Sequence, residues 1–194
     1  MRFFSLILLV TLTACQATPD HLEPEDDLTD DAFALVDQNA DAFAIPADLR
    51  GKPSIVTAVY THCPDVCLMT MANMTRIHTL LGADTSRVQF ATLTFDPERD
   101  TPQTLSAYAE SWKLEPDWKL LTGAPDEVAR LMDRLRIRTQ KETPDTLADG
   151  TPHYLVSHSD KAFLLDAQGR IVESYGGSSM IPEMVADDAR ALLD

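Results

Sequence analysis

Basic residues are scarce in this sequence. Sixteen lysines and arginines stand against 31 aspartates and glutamates, a formal charge of −15. A surface of that sign repels phosphate backbones, which excludes nucleic acid as a partner. It attracts cations or a basic protein face, and it also keeps an exported chain soluble. Long apolar runs are scarce too. The stretch from Phe3 to Leu12 covers ten residues, too few to span a bilayer as a permanent helix. Cysteine is nearly absent, with three residues in 194. That excludes a disulfide-stapled scaffold and leaves the fold to a hydrophobic core. The 44% of hydrophobic residues suffice for one domain of ordinary size.

What is present begins with a leader. Arg2 precedes the apolar stretch, which ends in Leu12-Thr13-Ala14-Cys15. This order resembles a bacterial lipoprotein signal, in which small residues precede a cysteine that becomes the lipidated N-terminus. Residues 1–14 are read as the signal peptide and Cys15 as the lipidation site. Multiple acyl chains there would anchor the protein stably to a membrane. The expected location is the bacterial cell envelope, with the domain in the periplasm and the anchor in the inner membrane. Residues 15–31 are acidic and contain few large apolar side chains, so they read as a flexible tether in which His21 is solvated. Residues 32–194 then form one domain.

Within that domain, Phe33–Val36 and Ala42–Ile45 flank a polar turn and predict a β-hairpin. Ser54–Tyr60 is an almost unbroken β-branched run, the pattern of a strand buried on both faces. A helix is predicted from Pro64 to Leu81, ending at Gly82, with Pro64 in its first position. Val88–Phe95 is the next strand, and Thr101-Pro102 opens another helix. A strand at Trp118–Leu121 and a helix over Asp126–Leu135 follow. Residues 139–152 are polar and read as an insertion loop. Tyr154–Ser157, Ala162–Leu165 and Ile171–Tyr175 read as strands, and Pro182–Leu193 as a final helix. The alternation, closed by a hairpin and helix, predicts an α/β fold with a mixed central sheet flanked by helices and an N-terminal β-hairpin extension.

With Cys15 committed to lipid, Cys63 and Cys67 remain. They lie in Tyr60-Thr61-His62-Cys63-Pro64-Asp65-Val66-Cys67, between a buried strand and a helix. A spacing of four places both sulfurs on one face, one turn apart. The loop they enclose is too small to staple a domain, so redox or metal chemistry is the leading reading. Thioredoxin-type oxidoreductases separate their cysteines by two residues; here there are three. Two soft thiolates select Cu(I), and imidazole accepts either copper state. The candidates for a third ligand are His62, His78, His153 and His158. Met69, Met71 and Met74 on the same helix read as core packing rather than ligands.

Three segments together resemble the Sco/SenC family, thioredoxin-like copper-binding factors for assembly of the CuA centre of cytochrome c oxidase. They are Thr61–Cys67, Thr94-Phe95-Asp96-Pro97-Glu98-Arg99-Asp100-Thr101-Pro102, and Val156-Ser157-His158-Ser159 followed by Phe163-Leu164-Leu165-Asp166. The resemblance covers Ala32 to Asp194 and implies a thioredoxin-like fold. It places the copper ligands on Cys63, Cys67 and His158, and an acidic residue, Asp96, near the metal. Read without it, Asp96 is equally an Asp-Pro turn residue. Leu68 and Ser157 depart from the family pattern, which usually has Pro and Asp there. The implied function is a copper metallochaperone. Its partners would be the oxidase subunit carrying the CuA site and other periplasmic copper chaperones. Two alternatives use the same residues: a thiol–disulfide oxidoreductase that keeps the recipient's cysteines reduced, with Cys63 and Cys67 as its catalytic dithiol, and a copper or redox sensor.

Overall fold

The computed structural model describes residues 19–146 and 152–193. Twelve strands are described: β1 (Asp26–Asp27), β2 (Phe33–Asp37), β3 (Ala42–Ile45), β4 (Ser54–Val59), β5 (Gln89–Thr94), β6 (Lys119–Thr122), β7 (Thr139–Lys141), β8 (Asp145–Thr146), β9 (Pro152–His153), β10 (Val156–His158), β11 (Ala162–Leu165) and β12 (Arg170–Tyr175). Four helices accompany them: α1 (Val66–Leu81), α2 (Pro102–Trp112), α3 (Pro125–Arg134) and α4 (Pro182–Ala191).

Eight strands form one mixed sheet in the order β1-β12-β11-β4-β5-β6-β2-β3. β4, β5 and β6 run parallel at its centre. β11 and β2 join antiparallel on either side, so the parallel core is flanked by hairpins. Every residue of β4 is buried, as its β-branched run requires. α1 buries Cys67, Thr70, Met71, Met74, Ile77 and Leu81, the i, i+3, i+4 stripe of a core-facing helix. It packs against α4. The mixed α/β thioredoxin-like architecture and the N-terminal hairpin are as expected.

Four local expectations are corrected. The first helix begins at Val66, not Pro64. Residues Cys63–Asp65 form a turn, with Asp65 at φ −140° and ψ −102° outside helical space, so Pro64 precedes the helix. The polar segment 139–152 is not simply a loop. β7 pairs with β10 and β8 with β9, because backbone groups leaving α3 find ladder partners in the returning chain. That return strand is Val156–His158 rather than Tyr154–Ser157, so His158 lies within it. Finally, residues 20–31 are not a free tether. β1 pairs with the sheet edge at β12, and Leu22 and Leu28 are buried in the domain. Two apolar side chains in an acidic run are enough to dock it. His21 stays exposed, but its Nε2 donates to the Asp188 carboxylate at 2.9 Å. Residues 1–18, including Cys15, lie outside the described residues, and no described helix is long and apolar enough to cross a membrane.

Candidate metal site

The register of the central strands builds the site. Val59 of β4 pairs with Thr94 of β5, so both strands end at one level. The segments Tyr60–Cys63 and Phe95–Asp100 therefore leave adjacent carboxyl ends, where functional groups gather in open α/β sheets. β11 enters antiparallel with Ala162 opposite Thr57. The chain just before it, carrying His158, thus passes over the same edge.

Three donor atoms meet there. The Cys63 and Cys67 sulfurs and a His158 ring nitrogen all lie within 4.8 Å of one another. His158 Nε2 is 3.5 Å from Cys67 Sγ. Cys63 Sγ accepts the backbone N–H of Cys67 at 3.4 Å, in the first turn of α1. Both thiols are free and buried, Cys63 at 8% exposure and Cys67 at 1%. Burial pushes the Cys67 thiol far up, and its contact with Cys63 adds to the shift. A metal taken by Cys67 must therefore displace a tightly held proton.

His158 is oriented from two sides. Its Nδ1 lies 3.3 Å from the Ser159 carbonyl, which can only accept, so the proton sits on Nδ1 and the Nε2 lone pair faces the sulfurs. The ring packs on Phe95 (centroids 4.4 Å) and edge-on to Tyr60 (6.1 Å). Ser157 takes no part; its hydroxyl donates to Glu142 at 2.7 Å on the surface.

Asp96 is fully buried, and its carboxylate is already committed. Arg99 pairs with one oxygen and the Tyr154 hydroxyl donates to the other at 2.8 Å. Arg99 also lies over the Tyr154 ring, 3.6 Å from its centroid. Burial, with the bond to Asp96, pushes the Tyr154 hydroxyl up to about 12. Asp96 is both a turn residue and a buried charge, for the carbonyl of Asp96 accepts the N–H groups of Arg99 and Asp100.

Other candidates stand apart. His62 lies against Thr61 Oγ1 (3.0 Å), and His78 packs edge-on to Phe90 and stacks with Trp118. His153 sits in β9, and none of these three belongs to the donor cluster. Met71 and Met74 are core residues, as expected, whereas Met69 is 54% exposed and the expectation for it is corrected.

One supporting residue escaped the sequence reading. Asp100 is buried and accepts the Thr61 N–H (3.1 Å), the Thr61 hydroxyl and the Thr94 hydroxyl, both at 2.5 Å. Burial raises its carboxyl above the usual range despite these donors. It ties the Thr61-His62 turn leading into Cys63 to β5. Its only sequence signal was its place in the second family segment.

Comparison with known proteins agrees with this geometry. The sequence model described as SCO1/SenC matches residues 22–194. The chain belongs to the SCO1/SenC family. A SCO1/SenC relative, Protein SenC of Rhodobacter capsulatus, is 29% identical over 162 residues, covering 84% of this chain and 69% of its own. Among solved structures of the family, Bradyrhizobium japonicum ScoI with copper bound is similar at a TM-score of 0.72 and 32% identity, covering 83% of this chain and 97% of that one. Yeast Sco1 with copper bound gives a TM-score of 0.68 and 29% identity, covering 80% and 83% respectively.

Proposed function

We propose that this chain binds one copper ion through Cys63, Cys67 and His158 and passes it, as cargo, to the oxidase subunit that carries the CuA centre. The observation that carries the reading is the convergence of two sulfurs and one imidazole nitrogen within 4.8 Å. The donor set is soft, and the carboxylate of Asp96, outside that cluster, is held by Arg99 and Tyr154. Such a set suits Cu(I) and tolerates Cu(II), while it disfavours magnesium or calcium. Bound copper in the similar ScoI and Sco1 structures supports the same reading. Delivery to the CuA site rests on family membership, as do the lipid anchor at Cys15 and the periplasmic location on the leader.

The test is an anaerobic copper titration of the domain, with the ligand set read by X-ray absorption. One copper per chain with two sulfurs and one nitrogen is expected. Unchanged tight binding in a Cys63→Ala/Cys67→Ala variant would rule the site out.

A second reading is favoured by the two free, adjacent thiols. The same pair can cycle as a disulfide, donating two electrons and two protons to a disulfide in the recipient. The two roles exclude one another at any instant, because sulfurs joined as a disulfide are not thiolate ligands.

A further inference from the structure

Two residues beyond His158 stands a carboxylate to which the site chemistry gives no task. Asp160 Oδ1 accepts the Thr70 hydroxyl at 3.0 Å, and its Oδ2 accepts the backbone N–H of Ser178 at 2.6 Å. Thr70 is buried on α1, three residues after Cys67. Ser178 lies in the loop between β12 and α4. That loop is itself fastened to α1, because the Asn73 amide donates to the carbonyls of Gly177 (3.1 Å) and Ser178 (3.0 Å). The junction leaves no spare room. A Cβ on Gly177 would fall 2.4 Å from Asp160 Oδ1 and 2.9 Å from the Thr70 methyl carbon.

The other supports of His158 tie it elsewhere. Its backbone pairs with Thr139 of β7, and its ring packs on Phe95 at the end of β5. Among the described residues, the hydrogen bonds that join the 156–161 segment to α1 are the His158–Cys67 contact itself and Asp160 to Thr70. We propose that Asp160 is a positioning residue that fixes the reach of His158 toward the Cys67 sulfur by locking the segment beyond His158 to α1 and to the β12–α4 loop. This rests on the copper-site reading above and extends it. A carboxylate accepts at both contacts at once. The Thr70 hydroxyl also lies 3.0 Å from the Val66 carbonyl; because a hydroxyl both donates and accepts, asparagine could keep the tie, whereas alanine removes it.

The test compares wild type, Asp160→Ala and Thr70→Val, with His158→Ala as the reference for a lost imidazole. In Asp160→Ala, affinity for Cu(II) should fall about 10–100-fold, the usual effect of losing an outer support of a ligand. Affinity for Cu(I), which the two thiolates can hold, should change by less than about threefold. Thr70→Val, which keeps the volume and removes the hydroxyl, should move both in the same direction by less. A metal-free readout runs beside these. Ring ¹⁵N spectra of His158 should show the proton on Nδ1 in wild type and a mixture of tautomers in Asp160→Ala. A role in folding alone would lower the melting temperature and leave the tautomer and the Cu(II)-to-Cu(I) ratio untouched, which overturns the proposal. Wild-type behaviour of Asp160→Ala in both readouts overturns it as well. Should the wild-type protein bind no copper, the functional reading falls, and the tautomer spectra still decide Asp160.

Discussion

The two halves of the site are built from different material. The thiols stand on the centre of the molecule: Cys63 and Cys67 are both buried, on a turn and helix backed by the fully buried β4. The imidazole arrives from the periphery. His158 ends a three-residue strand in a separate two-stranded sheet, only half-buried, and reaches the sulfurs through ring packing and loop contacts. A dithiol held by the core keeps its spacing whatever the surface does. A histidine held by an outlying hairpin depends on the few ties that join its segment to α1, Asp160 to Thr70 among them. The thiols are then the fixed part of the site, and the histidine is the part that one lost tie can shift.

Ligand removal tests that contrast most strongly. Cys67→Ala should abolish tight copper binding altogether, whereas His158→Ala should weaken Cu(I) binding only about tenfold, since two thiolates still hold Cu(I). Competition titrations with a Cu(I) chelator measure both. Equal losses in the two variants would mean the histidine is no less essential than the thiols. Stability should divide the same way. Met71 is fully buried on α1, next to the thiol turn. Met71→Ala should cost roughly 2–5 kcal/mol in urea unfolding, from lost burial and the cavity left behind. Ser157→Ala, on the exposed hairpin face, should stay within about 0.5 kcal/mol. The smallest effect separates the two thiols. Cys63 is the more exposed, and burial holds the Cys67 proton, so substoichiometric iodoacetamide should label Cys63 first. The same held proton makes copper binding a proton-releasing step. Apparent affinity should therefore rise with pH, by about tenfold per unit for each proton displaced. Peptide mapping by mass spectrometry and titrations at several pH values check these. Preferential labelling of Cys67 would mean the burial order is wrong.

Much of the centre was legible in the sequence, because burial on both faces leaves a plain mark. Ser54–Val59 and the α1 stripe could hardly read otherwise. The cysteine pair was equally plain from its spacing. Selecting His158 among four candidate histidines took the family resemblance, since the pairing that brings it home is antiparallel and distant in sequence. The periphery was harder. β7 to β10 are two- or three-residue strands, polar but for Pro152 and Val156, whose ladders satisfy backbone groups without a repeating apolar pattern. Pro64 suggested a helix start that the Cys63–Asp65 turn pre-empts. Asp100 and Asp160 were invisible for another reason. An aspartate in a polar stretch looks the same in sequence whether it faces water or gathers hydroxyl and amide donors from two other chain segments.

The docking of residues 20–31 also sets a distance. Had the whole acidic segment been slack, sixteen residues beyond Cys15 would have let the domain drift up to about 56 Å from its anchor. With Asp20–Leu22 and β1 held on the domain, four residues remain between the proposed lipid and the first docked one, a leash of five chain steps or at most about 17 Å. The protein would then work as a low buoy, not a kite. With a lipid at Cys15, the β1 edge of the sheet would stay near the bilayer whichever way the domain turned.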